Sequence, residues 1–153
     1  MLITEATKDD LKGIYDLQKL AYLEQAQIYN DYTIQPLQQS YEELVQECGN
    51  KIVLKATEHN RIIGSVRAYK EGDTCYFGKL MVHPDCQNNG IGKTLMNAIE
   101  DIFKDAKRFE LFTGHKSKKN LHLYNVLGYK ELKRERSSDT VVLVFLEKIN
   151  RDS

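Results

Sequence analysis

The residues of this chain best suited to chemistry lie in one run, Val82-His83-Pro84-Asp85-Cys86-Gln87-Asn88-Asn89-Gly90-Ile91-Gly92-Lys93. The run leaves a strand pattern and enters a helix pattern. Gly90 and Gly92 carry no Cβ, so the backbone there can turn tightly and let a ligand approach closely. The first N–H groups of the following helix have no acceptor within it and point out of its end. Together these features make a site for a phosphate or pyrophosphate. Lys93 in the first helical turn is unfavourable against the positive helix end by about 0.3–1 kcal/mol, and a bound anion turns that penalty into attraction. The alternative reading of the two glycines is a tight strand-to-helix turn that binds nothing.

Two familiar phosphate motifs are not met. A dinucleotide fingerprint needs a third glycine where Leu95 stands, and a nucleotide-binding P-loop ending in Gly92-Lys93-Thr94 needs a glycine where Gln87 stands. What is met is Gln/Arg-x-x-Gly-x-Gly after a strand and a proline turn, as Gln87-Asn88-Asn89-Gly90-Ile91-Gly92. With Lys79-Leu80-Met81-Val82-His83-Pro84 upstream, and Asn120-Leu121-His122-Leu123-Tyr124 and Leu127-Gly128-Tyr129 downstream, the chain resembles the GNAT family of acetyl-CoA-dependent N-acetyltransferases. The resemblance is specific from about residue 76 to residue 129 and weak before residue 51.

The resemblance implies acetyl-CoA as co-substrate, with no metal, and an amine as acceptor: a small molecule or a peptide. Gln87, Asn88, Asn89, Gly90, Ile91, Gly92 and Lys93 are implied to hold the pyrophosphate, with Thr94 beside them. The pantetheine arm is implied to lie along Leu80, Met81 and Val82, with the acetyl carbonyl accepting an N–H near Met81 or Val82 and a strand bulge opening the cleft. Asn120 and Tyr124 are four residues apart and share a helix face. By resemblance Asn120 bonds the pantetheine, or it simply begins the helix. Tyr124 is the implied acid that protonates the departing thiolate, which suits a phenol of pKa ~10; the plain alternative is a core aromatic beside Leu127. Glu24, His83 and His115 are candidates for the general base, and none is assigned. Tyr22, Tyr29, Tyr32, Arg67 and Tyr69 either line the acceptor pocket or pack within the core.

The elements needed to position these groups follow from periodicity. Residues 2–6 read as a strand, and Thr7 as the start of a helix with an apolar stripe at Leu11, Ile14, Tyr15, Leu17, Ala21 and Tyr22. Residues 25–39 are a loop or broken helix. Ser40 and Glu43 have capping-box spacing for a second helix that Gly49 and Asn50 end. Strands follow at 51–58, 62–70 and 74–83, joined by tight turns. Ile91, Leu95, Met96, Ile99, Ile102 and Phe103 then form a helical stripe. A strand at 109–113, a helix at 118–127 and strands at 129–134 and 140–146 complete the chain. The order β-α-α-β-β-β-α-β-α-β-β requires a mixed α/β fold. By resemblance it is a GNAT-like central mixed sheet of about seven strands flanked by about four helices, in a single domain, 1–153.

Composition bounds the function. The 153 residues carry 22 Lys plus Arg and 22 Asp plus Glu, so no net charge draws the chain to nucleic acid or an acidic membrane. The basic stretches at 116–119 and 130–136 read as solvated surface, the first alternatively as a partner for the nucleotide phosphates. Three cysteines without C-x-x-C spacing point to neither a disulfide framework nor a zinc site. No signal peptide and no membrane span is read, so a cytoplasmic setting is expected. Partners beyond the amine are not implied, although a homodimer is common in families of this kind. The expected activity is acetyl transfer directly to an amine in a ternary complex. The alternative is a non-catalytic acetyl-CoA-binding sensor or interaction module.

Overall fold

A computed structural model describes residues 1–151; Asp152 and Ser153, the end of the expected domain, lie outside the described residues. The strands are β1 (Leu2–Glu5), β2 (Ile52–Glu58), β3 (Arg61–Glu71), β4 (Thr74–Val82), β5 (Arg108–Gly114), β6 (Lys130–Arg136) and β7 (Val142–Ile149). They form one sheet in the order β1-β2-β3-β4-β5-β7-β6. Every neighbouring pair is antiparallel except β4 with β5. A parallel pair needs a crossover, and helix α4 (Ile91–Ile102) supplies it. The other helices are α1 (Leu11–Tyr29), α2 (Gln35–Gln38), α3 (Tyr41–Cys48) and α5 (Lys118–Val126). The mixed sheet and the element order match the sequence expectation, with the one-turn α2 as an addition.

Local sequence explains the elements. His59 and Asn60 take φ of 53° and 62°, the left-handed pair that a two-residue hairpin between twisted strands demands; Arg61 therefore belongs to β3. The Ser40 hydroxyl accepts from the Glu43 N–H at 3.1 Å while the Glu43 carboxylate accepts from the Ser40 N–H at 2.9 Å, so both donors at the start of α3 are satisfied. Ile91, Leu95, Met96 and Ile99 are buried along α4 and pack with Tyr124 of α5 against one face of the sheet. Leu11, Ile14 and Leu17 of α1 and Leu44 of α3 pack on the other face.

Three expectations are refined. Of the two readings for 25–39, the broken helix is the one found: α1 runs on to Tyr29, because Ala26 and Tyr29 extend its buried face, ends at Asn30 with φ 49°, and α2 resumes at Gln35. Ile102 is 48% exposed because α4 stops there, before the stripe returns to the core. β6 begins at Lys130 and is exposed at every position, the charged edge strand that guards a sheet against further pairing. No helix among the described residues is long and apolar enough to cross a membrane.

Candidate active site

The site begins with an irregularity in β4. Ser65 pairs with Met81 but Arg67 pairs with Gly78, so Lys79 and Leu80 together oppose Val66. This is a β-bulge, and Lys79 occupies the left-handed region at φ 49°. β4 pairs with β5 only over Thr74–Tyr76; from Phe77 onward the two strands part. The His83 N–H donates to Ile63 O at 2.8 Å. Because bonded and non-bonded pairs alternate in an antiparallel ladder, Val82 turns its N–H and C=O away from β3. That direction is the one β5 has left. An open strand edge results, able to pair with an extended ligand.

Beside this edge lies a cleft of about 760 Å³. Leu80, Met81, Val82, Gln87, Asn88, Gly90, Ile91, Gly92, Lys93 and Asn120 line it; Asn89 and Thr94 do not. The Thr94 hydroxyl instead donates to Gly90 O at 2.8 Å. The Thr94 N–H is the first to bond within α4, also to Gly90 O, at 3.0 Å. Ahead of it, the N–H groups of Gly90, Ile91, Gly92 and Lys93 have no intrahelical acceptor. Asn88 and Gly90 take φ of 67° and 77°, and this double turn presents those donors to the cleft. Lys93, Lys116, Lys118 and Lys119 line it against a single carboxylate, Glu24. Gln87 spans the opening: its Nε2 donates to Glu24 Oε2 at 3.0 Å, and its Oε1 accepts from Lys119 Nζ at 3.2 Å.

A second cleft, about 700 Å³, opens on the other side of the bulge. Tyr22, Gln25, Leu80 and Asn120 line both clefts, so the two meet there. Tyr29, Arg67 and Tyr69 line the second cleft, whereas Tyr32 lines neither and is 51% exposed. At its floor is a buried ionic network. Arg67, 1% exposed, donates to Gln18 Oε1 from both terminal nitrogens, at 3.1 and 2.9 Å, and reaches Glu47 at 3.0 Å. Lys79 reaches the same carboxylate at 2.7 Å. Burial pushes the Glu47 carboxyl up, but the hydrogen bond from Lys79 and the charges of Arg67 and Lys79 outweigh it and hold the group below the usual carboxylate range. Sequence reasoning missed Gln18 and Glu47. Gln18 had a readable signal: it lies four residues beyond Ile14, within the apolar stripe of α1.

Tyr124 is buried and lines the second cleft. Its hydroxyl bonds to no protein group, yet no fully enclosed side-chain polar atom among the described residues lacks a partner; the hydroxyl therefore opens onto the cleft. Burial, with Tyr22 nearby, raises its pKa above the ordinary phenol value. None of the three base candidates lines the second cleft. Glu24 faces the first cleft. His83 Nδ1 accepts from the Asp85 N–H at 3.1 Å. His115 Nδ1 accepts from the Val142 N–H at 3.0 Å, and its ring packs on Tyr29.

The model of the acetyltransferase (GNAT) family matches residues 11–129. The ribosomal-protein-S18-alanine N-acetyltransferase of Escherichia coli superposes with a TM-score of 0.81 at 16% identity, covering 97% of this chain and 93% of its own. The PaiA N-acetyltransferase of Thermoplasma acidophilum, solved in complex with coenzyme A, superposes with a TM-score of 0.76 at 18% identity, covering 97% of this chain and 99% of its own. The UPF0157 protein YqkA of Bacillus subtilis (strain 168) is 22% identical over 132 residues, 86% of this chain. This chain spans only 38% of the length of that curated relative. With a family model covering the bulged strand, the turn and the helix that frame both clefts, the chain belongs to the acetyltransferase (GNAT) family.

Proposed function

We propose that the protein transfers the acetyl group of acetyl-CoA to an amine by direct attack in a ternary complex. The observation that carries this reading is the meeting of two clefts at Tyr22, Gln25, Leu80 and Asn120, beside the unpaired edge of β4. The N–H groups of Gly90 to Lys93 hold the pyrophosphate, and the four lysines around them neutralise the remaining phosphate charge. The pantetheine arm pairs with the β4 edge at Val82, which brings the thioester to the junction. An amine in the second cleft then attacks the thioester carbon. The C–N bond forms, the C–S bond breaks, the thiolate takes a proton from Tyr124, and the proton that the amine releases returns to Tyr124 through water. A raised phenol pKa keeps that proton on Tyr124 at neutral pH.

No acetyl-cysteine intermediate is needed. Cys75 is buried, its thiol pushed up to about 12 by burial, the Cys48 sulfur accepts from Arg67 Nε at 3.3 Å, and Cys86, at the first cleft, accepts from Arg61 at 3.7 Å. Three free cysteines suit a reducing, cytoplasmic setting. The test is Tyr124→Phe. Removing one hydroxyl should lower turnover by about 10²-fold with acetyl-CoA affinity unchanged, because the lost interaction belongs to the transition state. Turnover intact with stability lowered would make the residue structural.

A further inference from the structure

The second cleft carries an uneven distribution of charge. Lys51, Arg67 and Lys79 line its floor, and the single carboxylate Glu47 serves both Arg67 and Lys79. Lys51 has no ion pair among the described residues; its ammonium lies over the ring of Tyr69, 5.5 Å from the centroid. The other acids of the cleft are occupied. Glu110 pairs with Arg108 at 2.8 Å, and Asp31 accepts from Thr33 and Thr140. Three cations that repel one another, Lys51, Arg67 and Lys79, thus stand around one carboxylate, Glu47, and two of them, Arg67 and Lys79, are largely buried. Burial first, then the repulsion of Arg67 and Lys51, pushes Lys79 down against the pull of Glu47. Arg67 and Lys79 already have partners, Lys79 also donating to Gln39 Oε1 at 3.3 Å, which leaves Lys51 as the cation available to an incoming anion.

The cleft is also bridged. The Thr140 hydroxyl donates to Asp31, tying the segment after α1 to the loop between β6 and β7. Tyr29, which lines the same cleft, ties the end of α1 to Lys116 and Ser117. Such closure suits a small molecule better than the surface of a folded protein.

We infer that the acceptor is a free amino acid, its amine directed to the junction at Leu80 and Asn120 and its carboxylate docked on Lys51, beside the Arg67–Glu47–Lys79 network. Lys79 is the immediate neighbour of Leu80, so that network and the junction are adjacent along the bulge. This inference rests on the acetyltransferase reading.

The test compares the common L-amino acids with their carboxamides, which keep the amine and side chain and lose the charge. Acetyl-CoA binding is measured first by calorimetry, and thiol release then gives kcat/KM for each acid–amide pair. The expected result is a preference for the acid of about tenfold or more in the best pair, falling to near unity in Lys51→Gln. A merely structural lysine would lower both members of the pair and leave their ratio unchanged, which overturns the role of Lys51. Amides used as well as acids, or peptides used better than any free amino acid, overturn the acceptor assignment. Absence of acetyl-CoA binding overturns the underlying acetyltransferase reading instead.

Discussion

The two clefts meet at a few shared residues, yet they are built on different principles. The first is made of backbone. Its anion donors are N–H groups of one continuous turn between β4 and α4, and its extended-ligand edge is main chain exposed by a bulge. The second is made of side chains brought together from distant parts of the chain. Gln18 and Arg67 are 49 positions apart, Tyr29 and Ser117 are 88 apart, and Asp31 and Thr140 are 109 apart. A backbone site tolerates sequence change as long as φ and ψ survive; a side-chain site changes with each substitution. The first cleft is therefore suited to a constant ligand and the second to one that varies between related chains.

That contrast can be broken most forcefully at Glu47. Glu47→Ala leaves the buried Arg67 guanidinium without its counter-ion, and loss of one partner of a buried pair costs about 3–5 kcal/mol. Chemical denaturation should read that loss while the first cleft remains intact. The pH dependence carries the same signature. The folded pKa of Glu47 lies below its unfolded value, so its contribution is fully present above the unfolded pKa and lost as pH falls through the folded one. Wild-type stability should fall on acidification in that window, and Glu47→Ala should lack this part of the slope. An equal acid slope in both proteins would show that the network is not what organises the floor.

Next in size is the roughly hundredfold fall in turnover expected for Tyr124→Phe, which should leave the first cleft untouched. A smaller effect belongs to Gly90→Ala. A Cβ at Gly90 would meet nothing within 4 Å, so its only cost is the left-handed backbone at φ 77°, about 1–2 kcal/mol. Thermal unfolding should show that modest loss. A cost far above it would mean that the turn depends on packing and not on backbone conformation.

The same contrast explains what was legible in the sequence. Gln87 to Gly92, the α4 stripe and the Ser40–Glu43 cap obey local rules, and each can be read within a dozen residues. The mixed sheet followed from the order of the elements. The partners of Arg67 were not legible, because a buried arginine is paired by whatever the fold brings to it, and nothing near position 67 names Gln18 or Glu47. Tyr32 looked equivalent to Tyr29, but Asn30 takes a left-handed conformation that ends α1 and carries Tyr32 away from the cleft. The bulge at Lys79 left no local mark either, since lysine is not a residue that favours positive φ.

Whether the turn from β4 into α4 binds acetyl-CoA is decided by calorimetric titration of acetyl-CoA into Gly92→Val. A Cβ at Gly92 would lie 3.2 Å from Leu123 Cδ2, 3.7 Å from Leu80 Cδ2 and 3.9 Å from Val82 Cγ2, all residues that line the first cleft. The valine side chain therefore fills space that the ligand needs. Affinity should fall by about tenfold or more in a variant that still melts cooperatively. Unchanged affinity in the folded variant would mean that the glycine turn only joins a strand to a helix and that acetyl-CoA does not bind in the first cleft.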